Sequence, residues 1–353
     1  YTVDVFGGKR RAIEAQLAQV DYQKYELLAA YLTLTGNIVT TAITEASLRA
    51  QIKATQDIVD IEAKELGIVR KQFKLGGVSD ISVLAQETQL EQTRATLPEL
   101  EKNLAKARNA MAVLIGDFPG NDGLPIFHLD DLHLPENLPV SIPSKLVRQR
   151  PDIQAAEALL HASTAQIGVA TANLLPQFNL TGAFGTETGN YQSLFGPSTK
   201  IWAFQAQVTQ AIFNGGALIA QREAAIAAFE ASLAQYQFAV LTAFQNVGDT
   251  LNALEMDAQT LQANTAAEKA AKTTLDMVSK QYYLGGVSYL NLLYAQMQYH
   301  QAYMARIISE ATRYADTAAL FQSMGGGWWN LDNIDDIDDI DGQDDLDDLG
   351  QEE

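Results

Sequence analysis

The residues that could do chemistry are few. The 353-residue chain has four histidines and no cysteine. In His128-Leu-Asp-Asp-Leu-His133, two histidines flank two carboxylates, a grouping that could hold a divalent metal. Their spacing does not put both imidazoles on one helical face, and residues 117–143 carry five prolines. Exposed polar side chains in a linker are the simpler expectation. Residues 331–353 hold 12 of the 43 acidic residues and no Lys or Arg. Clustered carboxylates can bind calcium, but the spacing of an EF-hand loop is missing. Dense like charge instead predicts an acidic disordered tail. The absence of cysteine removes disulfide and thiolate chemistry. No Ser–His–Asp arrangement, phosphate loop or dinucleotide motif occurs, so the expectation is a protein that is not an enzyme and takes no cofactor. The body of the chain is acidic and has no basic stripe, which argues against nucleic acid as a partner.

The sharpest pattern is a repeat. "KQFKLGGVSDISVL" at residues 71–84 returns as "KQYYLGGVSYLNLL" at residues 280–293. Leu75, Gly76, Gly77, Val78 and Ser79 match Leu284, Gly285, Gly286, Val287 and Ser288. Gly permits φ > 0, and Ser is a favourable N-cap, so each copy predicts a tight turn between two helices.

Long helices must position these corners. Residues 8–73 lack proline and predict one helix, and a second runs from about 80 to 114, with Pro98 as a kink. Residues 117–143 form an irregular linker. A helix begins at Pro151 and runs to about Leu175. Residues 177–185 and 201–213 alternate apolar and polar residues and predict a hairpin with Phe178, Leu180, Phe184, Trp202 and Phe204 on one face. A second long helix then reaches about Tyr283, and a shorter one spans 289–324. The division is a first repeat over 1–142, a second over 143–330, and the tail over 331–353. "YTVDVF" at the start reads as the end of a strand. The first repeat is expected to lack the helix and strand that open the second.

No run of ~18 consecutive apolar residues occurs, which speaks against a helical membrane span. That test does not exclude a membrane β-barrel, whose alternating strands escape it. A lone hairpin facing lipid would leave edges that lipid cannot satisfy, so several chains would have to contribute strands to close it. Long helices continuing from the strands could pack side by side into a hollow cylinder, with the Gln and Thr face of the strands lining a wet lumen.

Several stretches in order carry a family resemblance: "YTVDVFGGKRRAIEA", "LVRQRPDIQAAEALLHASTAQIGVATANLLPQFNLTGAFG", "IFNGGALIAQREAA", "AFQNVGDTL", "YYLGGVSYLNLLYAQ" and "LFQSMGGGW". Over roughly residues 1–329 the chain resembles the outer-membrane efflux factors, the TolC- and OprM-like channels, and within them the NodT-type drug-efflux lipoproteins, with an N-terminal truncation. The resemblance implies a mostly α fold with a small membrane β part. Long α-helical hairpins would form an α-barrel continuous with a transmembrane β-barrel, completed by homotrimerisation. It implies an outer-membrane exit duct for drugs or other small molecules in a Gram-negative cell. Its partners would be a periplasmic adaptor, an inner-membrane RND-type pump and outer-membrane lipid. The ten corner residues would meet the adaptor. Asn291 and Tyr294 match positions where similar channels often carry Asp at a closed aperture, so they are the aperture candidates. The five aromatic and aliphatic strand residues would face the membrane. A type I protein-secretion duct shares the fold, and a soluble coiled-coil scaffold is the alternative from another class.

Overall fold

The computed structural model describes residues 1–120, 123–135, 148–187, 189, 195–197 and 200–326. The acidic tail and the Trp328–Trp329 pair lie outside the described residues. In chain order the elements are β1 (Thr2–Val3), α1 (Gly8–Lys74), α2 (Asp80–Leu114), a 3-10 turn (Leu129–Asp131), α3 (Pro151–Ala172), β2 (Gln177–Thr186), β3 (Lys200–Thr209), α4 (Ala217–Tyr283) and α5 (Tyr289–Ser323). The two long helices have 67 residues each and the two return helices 35 each. At ~1.5 Å per residue each long helix extends about 100 Å. Pro98 lies inside α2, which continues on both sides of it.

Three boundaries differ from expectation. The starting strand is only two residues long, because Asp4 turns away from the sheet to cap α1. Its carboxylate accepts the Lys9 and Arg10 backbone N–H groups at 3.0 Å each. Helix α3 stops at Ala172 rather than Leu175, since Pro176 disfavours helical backbone before it. Strand β3 ends at Thr209, short of Phe213.

A further correction concerns membrane spans. α1 and α4 each contain an 18-residue stretch long and apolar enough, by composition, to cross a membrane. The stretches escape a search for unbroken apolar runs because their hydropathy rests on alanine and leucine interspersed with polar residues. Little of either stretch is buried within the chain.

The chain packs as two compact units, each drawing on both repeats. Among the described residues, one falls within 1–29 and 144–244, the other within 30–143 and 245–353. In the first unit the sheet order is β1-β2-β3, antiparallel throughout. Helix α3 buries Ala155, Ala158, Ala162 and Ala165, a stripe of small side chains at helical spacing that permits close helix approach. Gly8 comes against the Ala172 side chain, and Gly168 against the stem of Arg11, so α1 and α3 touch where a Cβ would crowd. Ile153 packs with Ala243, Tyr236 and Val240 of α4.

In the second unit, Ile43, Ala46, Ala54, Leu129, Ile307 and Ala311 form one core cluster. Leu66, Val69, Val83, Leu90, Tyr289 and Leu292 form another. Buried Glu45 stands within the first cluster, between Ile43 and Ala46 in sequence. Its Oε1 accepts from Arg49 and from Arg108 at 2.8 Å each, so the charge is paired where α1 meets α2. Helix α5 is tied to α4 by the Arg306–Glu268 ion pair at 2.7 Å and by Asn264, which donates to the Ala305 carbonyl at 3.3 Å.

Candidate functional site

The two Gly-Gly corners have the same geometry. At the end of α1 the Gly76 N–H donates to the Phe73 carbonyl at 2.9 Å and the Gly77 N–H to the Gln72 carbonyl at 2.8 Å. At the end of α4 the Gly285 N–H donates to the Tyr282 carbonyl at 3.0 Å and the Gly286 N–H to the Gln281 carbonyl at 2.8 Å. This is the paired bonding that closes a helix C-terminus through a left-handed residue. That residue is Gly76 (φ 75°) and Gly285 (φ 77°). The second glycine of each pair is not left-handed. A Cβ there would lie 3.4 Å from the Gln72 carbonyl oxygen or 3.5 Å from that of Gln281. The φ > 0 that the turn needs is thus supplied by the first glycine of each pair.

Ser79 and Ser288 occupy the N-cap positions of α2 and α5 with extended backbone, but neither side chain caps the helix. The Ser79 hydroxyl instead lies 3.4 Å from that of Ser82. Leu75 and Leu284 are each 87% exposed, while Val78 and Val287 are half-buried. Both corners therefore present a bare Leu-Gly-Gly surface and anchor it with the valine that follows. Asn291 and Tyr294 lie on an exposed face of the first turns of α5, whereas Tyr289, Leu292 and Gln296 point inward.

Beside the corners runs a polar seam that the sequence reading missed. The Tyr282 hydroxyl of α4 donates to Gln72 Oε1 of α1 at 2.7 Å. The Tyr289 hydroxyl of α5 donates to Gln86 Oε1 of α2. Gln296 Nε2 of α5 donates to Glu65 Oε2 of α1. Gln86 Nε2 in turn reaches the Glu62 carbonyl at 3.0 Å, and Gln89 Nε2 reaches Glu62 Oε1 at 3.2 Å. Three side-chain bonds thus join the first repeat to the second. Burial pushes the Glu62 and Glu65 carboxyls above the usual carboxylate range, and the neighbouring Glu62 charge adds to the shift at Glu65. Burial also raises the Tyr289 phenol, and the charges of Glu65 and Glu62 reinforce it. The available sequence signal was Glu62, Glu65 and Gln72 standing within the stripe of Ile58, Leu66 and Val69, where a core helix would otherwise be apolar.

In the sheet, cross-strand partners share faces as the alternation requires. Phe178 pairs with Val208, Leu180 with Ala206, Gly182 with Phe204, and Phe184 with Trp202. The opposite face pairs Gln177 with Thr209, Asn179 with Gln207 and Thr181 with Gln205. Phe184, Trp202 and Phe204 are exposed, and Phe178 and Leu180 are half-buried. His128 and His133 are exposed, and His133 Nδ1 lies 2.9 Å from the Asp131 carbonyl. Among the described residues, no group of three or more His, Asp or Glu converges.

The family model for "Outer membrane efflux protein" matches residues 1–117 and 142–326. The chain belongs to the outer membrane efflux protein family. It is an outer-membrane efflux component, as the resemblance implied. The toluene efflux pump outer membrane protein TtgC of Pseudomonas putida is 28% identical over 330 residues, a match covering 93% of this chain and 68% of that protein. The cation efflux system protein CusC of Escherichia coli is 26% identical, with coverage of 93% and 71%. Among solved structures, the open-state MtrE outer membrane channel of Neisseria gonorrhoeae is 29% identical with a TM-score of 0.84, covering 93% of this chain and 74% of that one. The family is one of transport proteins.

Proposed function

We propose that the chain is one protomer of a homotrimeric exit duct in a tripartite efflux system. Strands from three copies close a β-barrel in the outer membrane, and their helices build an α-barrel in the periplasm. The corners at residues 75–79 and 284–288 dock a periplasmic adaptor, and an inner-membrane RND-type pump supplies the energy. Small molecules pass through without chemical change. Asn291 and Tyr294 line the aperture, with Tyr294 constricting by bulk rather than charge. Toluene and cations, the cargoes named for two relatives of similar identity, have little chemistry in common. Substrate choice therefore rests with the pump.

The observation that carries this reading is the sheet. Its apolar face is exposed, its partner face is polar, and its edges are open, so a single chain leaves it unfinished. The exposed apolar rows at Ile13, Leu17 and Val20 on α1, and at Phe238 and Leu241 on α4, are likewise unfinished surfaces that neighbouring protomers would cover. The test is to express the chain with a matched adaptor and pump in cells lacking their own duct. Recovery of resistance, with a detergent-resistant trimer in the outer-membrane fraction, is expected. A monomer remaining in the soluble fraction would overturn the reading.

A further inference from the structure

The polar seam has a feature that packing alone does not require. Glu62 and Glu65 stand on one face of α1, three residues apart, turned toward the other helices of the second unit. Glu62 is 2% exposed, and its Oε2 is buried without a hydrogen-bond partner. The groups facing the two carboxyls are neutral. Gln86, Gln89 and Thr93 approach from α2, Tyr289 and Gln296 from α5, and Tyr282 from α4. No cation interacts with either carboxyl among the described residues. The nearby Arg70–Glu87 pair, at 3.2 Å, is itself about half exposed. Unlike Glu45 with its two arginines, these carboxylates meet no cation, and the hydrogen bonds from Gln89, Thr93 and Gln296 oppose the burial without overcoming it.

We propose that Glu62 and Glu65 are a proton-operated clamp on the spacing of the two corners. With both carboxyls protonated, the seam closes and the hairpins hold together. With both ionised, the charge of buried Glu62 and that of half-buried Glu65 repel each other and seek water, and the seam loosens.

The sign follows from linkage. Both groups bind protons more tightly in the closed seam than when exposed to solvent, so acid favours closure. The charge penalty is absent below the ordinary glutamate value and complete above the raised one. The neutral partners suit this role. Each glutamine can face a protonated or an ionised carboxyl, and the Tyr289 hydroxyl stays protonated to donate to Gln86. Loosening lengthens bonds along the seam without stranding a new charge.

Because the chain has no cysteine, Leu75→Cys and Leu284→Cys can be labelled uniquely with spin labels. Labelled chain diluted into unlabelled chain isolates one pair per assembly, and the inter-label distance is read from about pH 4.5 to about pH 8.5, across the carboxyl range. The wild-type distribution should be narrow in acid. It should broaden to longer distance with a midpoint above that of an exposed glutamate. The Glu62→Gln/Glu65→Gln double variant, neutral at every pH, should stay narrow throughout. Tyr289→Phe serves if the double variant fails to fold, since it keeps both carboxyls and removes one bond across the seam. It should broaden the acid distribution. A wild-type distance that ignores pH would overturn the proposal, as would a double variant that follows the wild type or a Tyr289→Phe distribution unchanged in acid. The readout does not depend on transport.

Discussion

At the scale of single residues, the corners separate two roles for glycine. Gly76 and Gly285 hold left-handed backbone, where a β-branched side chain is strained by about 1–2 kcal/mol. Gly77 and Gly286 only leave room beside a carbonyl oxygen. Gly285→Val should therefore distort its corner and lower crosslinking to the adaptor while the trimer persists. Gly286→Ala should change stability by no more than about 0.5 kcal/mol. Crosslinking yield per assembled trimer, measured beside thermal stability, checks both. Equal loss in the two variants would contradict the assignment. The repeat announced these corners in the sequence, because only a backbone need explains a Gly pair returning in the same setting. It did not say which glycine of the pair carries the strain, since that depends on the dihedral angles at the helix end.

At the scale of elements, α4 and α5 meet at a second pair of acids. Asp257 faces Asp316, and burial, then the hydrogen bond and charge of Asp316, push the Asp257 carboxyl up to about 6, with Arg313 opposing. The paired helices therefore keep a proton that the unfolded chain releases near the ordinary aspartate value of about 4. Stability of this pairing should be greatest in acid and fall as pH rises through about 6. Asp316→Asn removes the like charge and should shrink the fall in melting temperature between pH 5 and pH 7.5. An undiminished fall would show that the dependence arises elsewhere. Helix lengths and order were legible from composition, Pro positions and the Gly corners. Side-chain pairing between helices was not, because registry between two long helices is set by contacts some 60 residues apart in the sequence.

At the scale of the whole molecule, the two faces of β3 should behave oppositely. Phe204 pairs with Gly182 on the apolar face, and its neighbour Gln205 pairs with Thr181 on the polar face. If three copies close a barrel in lipid, Phe204→Lys places a charge against hydrocarbon at a cost of about 2–4 kcal/mol near the midplane. Gln205→Lys puts the same charge in the wet lumen. The first should lower the yield of heat-resistant trimer in the outer-membrane fraction, and the second should leave it near the wild-type level. If both variants assemble equally well, the apolar face does not meet lipid.

The sequence by itself determined the local chemistry. Alternation in the strands, long proline-free helices and two Gly-Gly corners follow from residue type and short-range spacing, and several ordered stretches sufficed to indicate the family. Phe178, Leu180, Phe184, Trp202 and Phe204 fall on one face because side chains alternate along any strand, whatever its partner. Tertiary structure alone decided what the polar residues inside the helical stripes do. Glu45, Glu62 and Glu65 all stand within helical stripes, yet only folding brings Arg108 of α2 to Glu45 beside its own-helix neighbour Arg49, and leaves the other two facing neutral glutamine, threonine and tyrosine. A carboxyl's proton affinity depends on water and on charges brought close by the fold, and neither is encoded in neighbouring letters of the chain.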